Sequence, residues 1–500
     1  MSTSKKIRLA IIAVVFLFIH SCKSPEEPKV VFPENDIPVG QTTDEALPEF
    51  MKGLKLYDEG DIINSRKHFK KSTELDSNFV RAHMYVAFTS NSNKQWAENR
   101  DKYLAMRDKA EESDLLMMDW LQASLDNKPE KELEVINKMI QKYPKSARAV
   151  DYLAGYYNGE NEVAKARELW QKAIKLDSSY VPAISNLGNS YLFRSPKDFK
   201  LAQNYMEIMV EKLPNSPEAR IGLGDAYRAQ NNLTEALNNY EKAAELDPNN
   251  ETAHSKAGHA NTFLGNFEKA RKNFQNAREV SEFGTGSYNF EAYTYLYEGD
   301  HKKALAFLQD GTKTFDAMSI PESNKNQAKM GCAFDCAMIA MHYNDAEHLK
   351  ELVAMMKPMS DQVSNEVNNP ITTKYQKANM YYWDAIAFAT EGNYDAAIEK
   401  ADKIKGIMET IDSPNKLRSY HRVHAVVNYK QGNYEKALEH MAKLNEDNVY
   451  VQYMMAKAFE KMGNQEKAKE LFTKVAGNNF NSVAYALVRN ESKNKITSAN

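Results

Sequence analysis

Residues 217–250 read PEARIGLGDAYRAQNNLTEALNNYEKAAELDPNN, two runs with apolar positions at helical spacing, separated by Gln230-Asn231-Asn232. Leu223, Gly224 and Tyr227 share one face of the first run. Ala236, Tyr240 and Ala243 share a face of the second, which closes at Asp247-Pro248-Asn249-Asn250. Thirty-four residues further on the same positions hold Ala257, Gly258, Asn261, Ala270, Phe274 and Ala277. Another thirty-four on stand Ala292, Tyr295 and Ala304, with Gly299-Asp300 at the turn where the preceding unit has Gly265-Asn266. Small residues at the eighth and twentieth positions let two antiparallel helices approach closely. Large residues at the eleventh and twenty-fourth fill the space between them, and Pro ends the second helix. One hairpin cannot bury both apolar faces, so successive hairpins stack into a superhelix with a concave inner surface.

This pattern resembles the tetratricopeptide repeat (TPR), Trp-x2-Leu-Gly-x2-Tyr, then Ala-x3-Phe-x2-Ala, then Pro. Degenerate copies extend it upstream, as in Gly53-Gly60-Phe69, Trp120-Ala123-Met139-Pro144, Leu153-Tyr157-Ala166-Trp170 and Leu187-Gly188-Tyr191-Ala202-Met206. The last of these carries a two-residue insertion near Ser195-Pro196. Downstream copies lie at Cys336-Ala340-Leu349, Gly392-Tyr394-Ala397, Gly432-Tyr434-Ala437 and Gly463-Ala468-Phe472. The resemblance implies an all-α, right-handed solenoid of about twelve helical hairpins between residues 45 and 477. Only 16 Pro and 20 Gly in 500 residues agree with a helical chain. The spacing breaks at 281–287 and again at 312–326 and 358–372, which read as longer loops. The hairpins thus form either two arrays, 45–281 and 287–477, or one superhelix with lengthened loops. Within 478–500, Val483–Val488 reads as a helix capping the last hairpin, with a free polar tail from Asn490 to Asn500.

The N-terminus reads as an address. Lys5, Lys6 and Arg8 precede an apolar stretch from Leu9 to Ile19, too short for a membrane span of about 20 residues and suited to a secretory signal. Ile19-His20-Ser21-Cys22 then resembles the lipobox of bacterial lipoproteins, with His20 where that pattern has a small residue. The resemblance implies removal of residues 1–21, acylation of Cys22 and lipid anchoring in a bacterial envelope. Lys23 after the Cys points by the same resemblance to the outer membrane, and Glu26-Glu27 is similar to a surface-export tag. Residues 22–44, with Pro25, Pro28, Pro33 and Pro38, read as an extended tether.

Charge and motifs exclude several classes. Lys and Arg number 65 against 68 Asp and Glu, a formal net charge of -3, so there is no basic field to hold nucleic acid. Gly284-x-Gly286 lacks the remainder of a phosphate loop and reads as a turn between helices. His421 and His424 share a helix face, yet no third ligand accompanies them, and no metal or other cofactor is implied. Cys332 and Cys336, one helical turn apart, read as small apolar residues between helices. With no nucleophile motif, the chain reads as a non-enzyme.

Binding has better support. In the TPR family the concave wall is built from fixed positions of each first helix. Carried onto this chain they give Asn189 and Phe193, then Asp225 and Arg228, His259 and Phe263, and Asn289, Tyr293 and Tyr297. That mixed polar and aromatic surface suits an extended peptide of a protein partner, although Tyr293 and Tyr297 serve equally as core. The reading is a membrane-anchored scaffold or adaptor. Its rival is a surface lipoprotein that captures glycan, which would carry an aromatic platform outside the array.

Overall fold

A computed structural model describes residues 35–445 and 447–497; Cys22, the signal-like segment and residues 22–34 of the tether lie outside the described residues. All regular structure among the described residues is helical, in twelve antiparallel hairpins and one last helix. The first four hairpins pair α1 (Ala46–Glu59) with α2 (Ile62–Leu75), α3 (Val80–Phe88) with α4 (Asn93–Leu104), α5 (Glu112–Leu125) with α6 (Pro129–Lys142), and α7 (Ala147–Gly159) with α8 (Val163–Leu176). The next four pair α9 (Val181–Phe193) with α10 (Phe199–Lys212), α11 (Pro217–Ala229) with α12 (Leu233–Leu246), α13 (Glu251–Leu264) with α14 (Phe267–Val280), and α15 (Tyr288–Glu298) with α16 (His301–Ala317). The last four pair α17 (Glu322–His342) with α18 (Ala346–Val367), α19 (Pro370–Glu391) with α20 (Tyr394–Met408), α21 (Arg418–Lys430) with α22 (Tyr434–Met441), and α23 (Val449–Lys461) with α24 (Gln465–Ala476). The final helix is α25 (Val483–Thr497). The fold is a TPR-type helical solenoid.

The hairpins close for a steric reason. A Cβ on Gly224 would lie 2.4 Å from the Tyr240 ring, one on Gly258 2.5 Å from Phe274, and one on Gly53 2.8 Å from Phe69. Each ring of a second helix thus occupies space that a side chain of the first helix would need. In the hairpin with the insertion, the flexible Met206 takes that place against Gly188. The turn inside most hairpins, though not α3–α4 or α9–α10, puts one residue in the left-handed region, where Gly and Asn are tolerated: Asn231 has φ 61° and Gly265 φ 81°. Side-chain oxygens of Asp61, Asn232 and Asn393 then accept the backbone N–H three residues on, capping the second helix.

Each odd-numbered helix from α7 to α19 touches its odd-numbered successor, and together they form the concave wall. Successive turns of the superhelix also touch. α1 lies against α9 and α4 against α18. Arg66 Nη1 and Asn91 Nδ2 both reach the Glu282 carboxylate at 2.7 Å. The terminal carbonyl of α18, Val367 O, accepts from Arg100 Nη1 at 3.1 Å, and that of α5, Leu125 O, accepts from Asn369 Nδ2 at 3.0 Å. Helix ends leave such carbonyls without intrahelical donors, and the adjacent turn supplies them.

One alternative left open by the sequence is resolved, and two further features differ from the sequence reading. The described residues form one compact unit, with α14 packed on α15, so 281–287 is a long turn inside a single array. The stretches 312–326 and 358–372 are mostly helix, because α16 to α19 are lengthened by apolar residues such as Phe315, Met356, Met359 and Val367 that bury against neighbouring hairpins. Residues 35–44 are strapped to the body and not a tether: Ile37 and Val39 are buried, and Asp36 accepts from Ser146 Oγ at 2.9 Å and Arg148 Nε at 3.0 Å.

Gly258→Ala forces the Phe274 ring to move and should lower stability by about 1–3 kcal/mol in a denaturant titration. Gly155, with no atom within 4 Å of an added Cβ, should instead gain about 0.5–1 kcal/mol on the same change.

Candidate functional site

The concave wall holds a piece of the chain itself. After α24 the backbone runs as a non-helical stretch, Asn478–Ser482, and then turns into α25, which packs on α15, α17, α23 and α24. The Phe480 ring lies 5.1 Å from that of Phe193, which is 46% exposed, and the Arg228 guanidinium lies over the same ring, also at 5.1 Å. Asn479 Nδ2 donates to Asn231 Oδ1 at 3.0 Å. Asn481 is gripped from two helices: its Nδ2 donates to His259 Nδ1 at 3.0 Å and its Oδ1 accepts from Tyr297 OH at 2.8 Å. Tyr485 packs on Phe263 and Tyr297, and Arg489 lies over all three rings. Asn490 Nδ2 reaches Tyr297 O at 2.8 Å, and Ser492 is fully buried. The stretch 490–497 is therefore a packed helix and not a free tail.

A charged knot fixes this wall. Asp225 accepts from Tyr240 OH at 2.6 Å, Lys256 Nζ at 2.7 Å and Arg228 Nη2 at 2.9 Å. Burial pushes the Asp225 carboxyl up, but Lys256 and Arg228 outweigh it and hold the pKa at about 2. His259, buried against Phe274 and Phe290, is driven well below its ordinary pKa by burial and then by Arg228 and Lys256, so it is neutral and free to accept from Asn481.

Of the residues expected on the wall, Phe193, Arg228, His259, Phe263 and Tyr297 converge on the inserted segment, and Asp225 positions Arg228. Asn189 is half-buried and donates to Ser185 Oγ at 3.3 Å. Asn289 and Tyr293 turn the other way: both donate to Asp335 on α17, Tyr293 OH at 2.6 Å. Burial raises the Asp335 carboxyl to about 6 against these two hydrogen bonds. Phe480, Asn481, Arg489 and Asp335 were not selected from the sequence. The amide-rich run Asn478-Asn479-Phe480-Asn481 directly after the last hairpin was the available signal.

No group of three or more metal-ligating side chains with suitable geometry occurs among the described residues. Cys332 and Cys336 are free and buried, and burial raises both thiols, Cys336 to about 12. His421 and His424 are joined by His440 of α22. Nδ1 of His421 and Nδ1 of His440 are 3.1 Å apart, and the His424 ring stacks on His440 at 4.8 Å.

The family model described as TPR repeat matches residues 224–262, and the one described as Tetratricopeptide repeat matches residues 450–479. The chain thus carries tetratricopeptide repeats in both halves. No curated protein matches it. Solved structures similar to it include a chain of the APC/C hetero-tetramer Cut9-Hcn1, at 13% identity over 88% of this chain and 78% of that one, TM-score 0.40. Yeast Tom70 is 13% identical over 91% of this chain and 96% of its own, TM-score 0.36. YrrB, described as a TPR protein with an unusual peptide-binding site, is 24% identical over 35% of this chain and 90% of its own, TM-score 0.27.

The three clustered histidines make the α21–α22 hairpin acid-sensitive. Burial lowers each below the ordinary 6.5, His424 to about 4, with His440 adding to the effect at His421 and His424; Asp402 and Glu439 oppose it, and Lys405 and Lys443 reinforce it. Because the folded pKa is depressed for a base, the unfolded hairpin binds more protons as pH falls. Stability is full above about 6.5 and is lost as pH falls toward 4. Hydrogen-exchange protection factors, which correct for the intrinsic slowing of exchange in acid, should therefore fall across 418–441 between pH 7 and 4. A profile unchanged by His421→Asn with His424→Asn would contradict this assignment.

Proposed function

We propose that this chain is a lipid-anchored adaptor of a bacterial envelope that holds a peptide segment of a protein partner along its concave wall. One observation carries the recognition half of the reading: the wall already holds five residues of non-helical chain, Asn478–Ser482, by ring stacking and paired amide hydrogen bonds. A partner segment with an aromatic flanked by amide side chains fits the same contacts. In that reading the protein's own segment competes with the partner, and displacement is part of binding.

Localisation rests on sequence features. The basic start, the short apolar stretch and the lipobox-like Ile19-His20-Ser21-Cys22 support export and acylation at Cys22, and Lys23 supports the outer membrane. Among the described residues no helix is long and apolar enough to cross a membrane. Anchoring then falls to the acyl group, and it raises the effective concentration of the adaptor near membrane partners.

Crosslinking of the intact protein in envelopes, with Cys22→Ser as the unanchored control, should recover a stoichiometric protein partner that is lost in the control. Phe480→Ala with Asn481→Ala removes a ring contact and hydrogen bonds each contributing about 1 kcal/mol. It should raise apparent partner affinity by about tenfold, and Phe193→Glu, at an exposed position, should reduce it. Capture indifferent to all three changes would place recognition elsewhere.

A further inference from the structure

A second, chemically different cavity lies in the C-terminal half, about 320 Å³ in volume, between α17, α19, α21, α23 and the start of α25. That is within the range of small-molecule sites, about 300–1,000 Å³. Its walls are apolar and adaptable: Phe334, Met338, Met341, Val426, Met454 and Val483. Phe334 stands 41% exposed at this face, its ring edge-on to Trp383 at 5.3 Å.

Several polar atoms of the lining are committed within the protein. Asn448 Oδ1 accepts from the backbone N–H of Tyr450 and Val451, and Ser482 Oγ from that of Tyr485. Tyr450 OH is paired with His342 Nδ1 at 3.1 Å. The charged member of the lining is Arg422, whose guanidinium lies 5.6 Å from the Tyr382 ring and has no carboxylate partner among the described residues. One helical turn away on the same face of α21 is Arg418, also without a carboxylate partner among the described residues. Arg194 from α9's C-terminal end joins them: burial, Arg194 and Arg422 together pull the Arg418 pKa down. Arg194 itself donates only to neutral acceptors, Asn158 O and Asn161 Oδ1, both at 2.9 Å. Arg194, Arg418 and Lys443 line an adjoining cleft that shares Leu444 with the apolar cavity. The acids there are engaged, Asp447 with Lys197 at 3.2 Å and Glu162 with Lys165 at 4.0 Å.

A mostly apolar chamber whose one charged lining group is a guanidinium without a carboxylate partner selects a ligand that is apolar over most of its length and anionic at one end. A peptide would bring amides that find no partner in the chamber, at a cost. A glycan would bring hydroxyls with the same difficulty. We propose that this cavity binds an amphiphile with one long acyl or alkyl chain and one anionic headgroup, the chain among the methionines and the headgroup on Arg422 and Arg418. This cavity adjoins the held segment Asn478–Ser482, whose Ser482 is part of its wall, but its ligand chemistry does not depend on the adaptor reading.

The test is calorimetric titration of the full chain in its Cys22→Ser form, so that any acyl chain comes from the probe. Laurate below its micellar range should bind saturably at one per chain, while dodecyltrimethylammonium and dodecanol bind at least tenfold more weakly. Arg422→Gln should weaken laurate at least tenfold and abolish discrimination among the three. Met338→Trp should fill the chamber and block binding, with circular dichroism confirming that both variants are folded. No saturable laurate binding, equal binding of the anionic and cationic probes, or unchanged affinity in Arg422→Gln would each overturn the proposal. Binding of a hexapeptide with a free apolar C-terminus in place of laurate would overturn it in favour of peptide recognition.

Discussion

In the hairpins α1–α2, α11–α12 and α13–α14 a glycine of the first helix faces an aromatic ring of the second, and the distance between the two backbones is set by that pair. The added-Cβ distances of 2.4 to 2.8 Å leave no room for a larger residue at Gly53, Gly224 or Gly258. Close backbone approach fixes the hairpin's shape, and the shape fixes how the next hairpin stacks. The same pairing explains why the hairpin with the insertion still fits: Met206 has enough rotatable bonds to fill the space at Gly188 from a displaced position. Elsewhere, as at Ala87 and Ala154, the small residue is a fully buried alanine.

From this stacking comes a concave wall that the chain partly fills itself. The inserted segment is held by groups of two kinds, rings that accept any flat or aliphatic surface and amides that demand a partner. The neutral state of His259 is essential to the second kind, because a protonated ring nitrogen could not accept from Asn481. In the knot the cations Arg228 and Lys256 have a carboxylate partner, Asp225. Arg194, Arg418 and Arg422 have none among the described residues. Two regions of one inner surface therefore differ in what they would recognise.

Much of the architecture was legible from residues alone, since the eighth, eleventh, twentieth and twenty-fourth positions carry a steric code that local sequence states directly. Phe193, Arg228, His259, Phe263 and Tyr297 were legible as wall residues for the same reason. Their neighbours Asn289 and Tyr293 share the register but donate to Asp335 on the next first helix, α17. Registers cannot reveal such long-range partners. Nor could they show that 312–326 and 358–372 continue as helix: a break in a repeat and an extended helix look alike when the added residues are apolar. The third histidine, His440, was hidden likewise, being nineteen residues from His421 in sequence but 3.1 Å away in space.

The contacts between superhelical turns alter the thermodynamics of the whole array. A repeat solenoid is ordinarily quasi-one-dimensional: each unit senses only its neighbours, and ends can fray or be trimmed independently. Here Arg66 meets Glu282, Arg100 meets Val367 and Tyr297 meets Asn481, pairs separated by 216, 267 and 184 residues. Such ties raise contact order and couple the melting of the first hairpins to that of the last. The molecule gains the all-or-none cooperativity of a globular domain, and with it loses the modular tolerance to truncation that its sequence period would suggest.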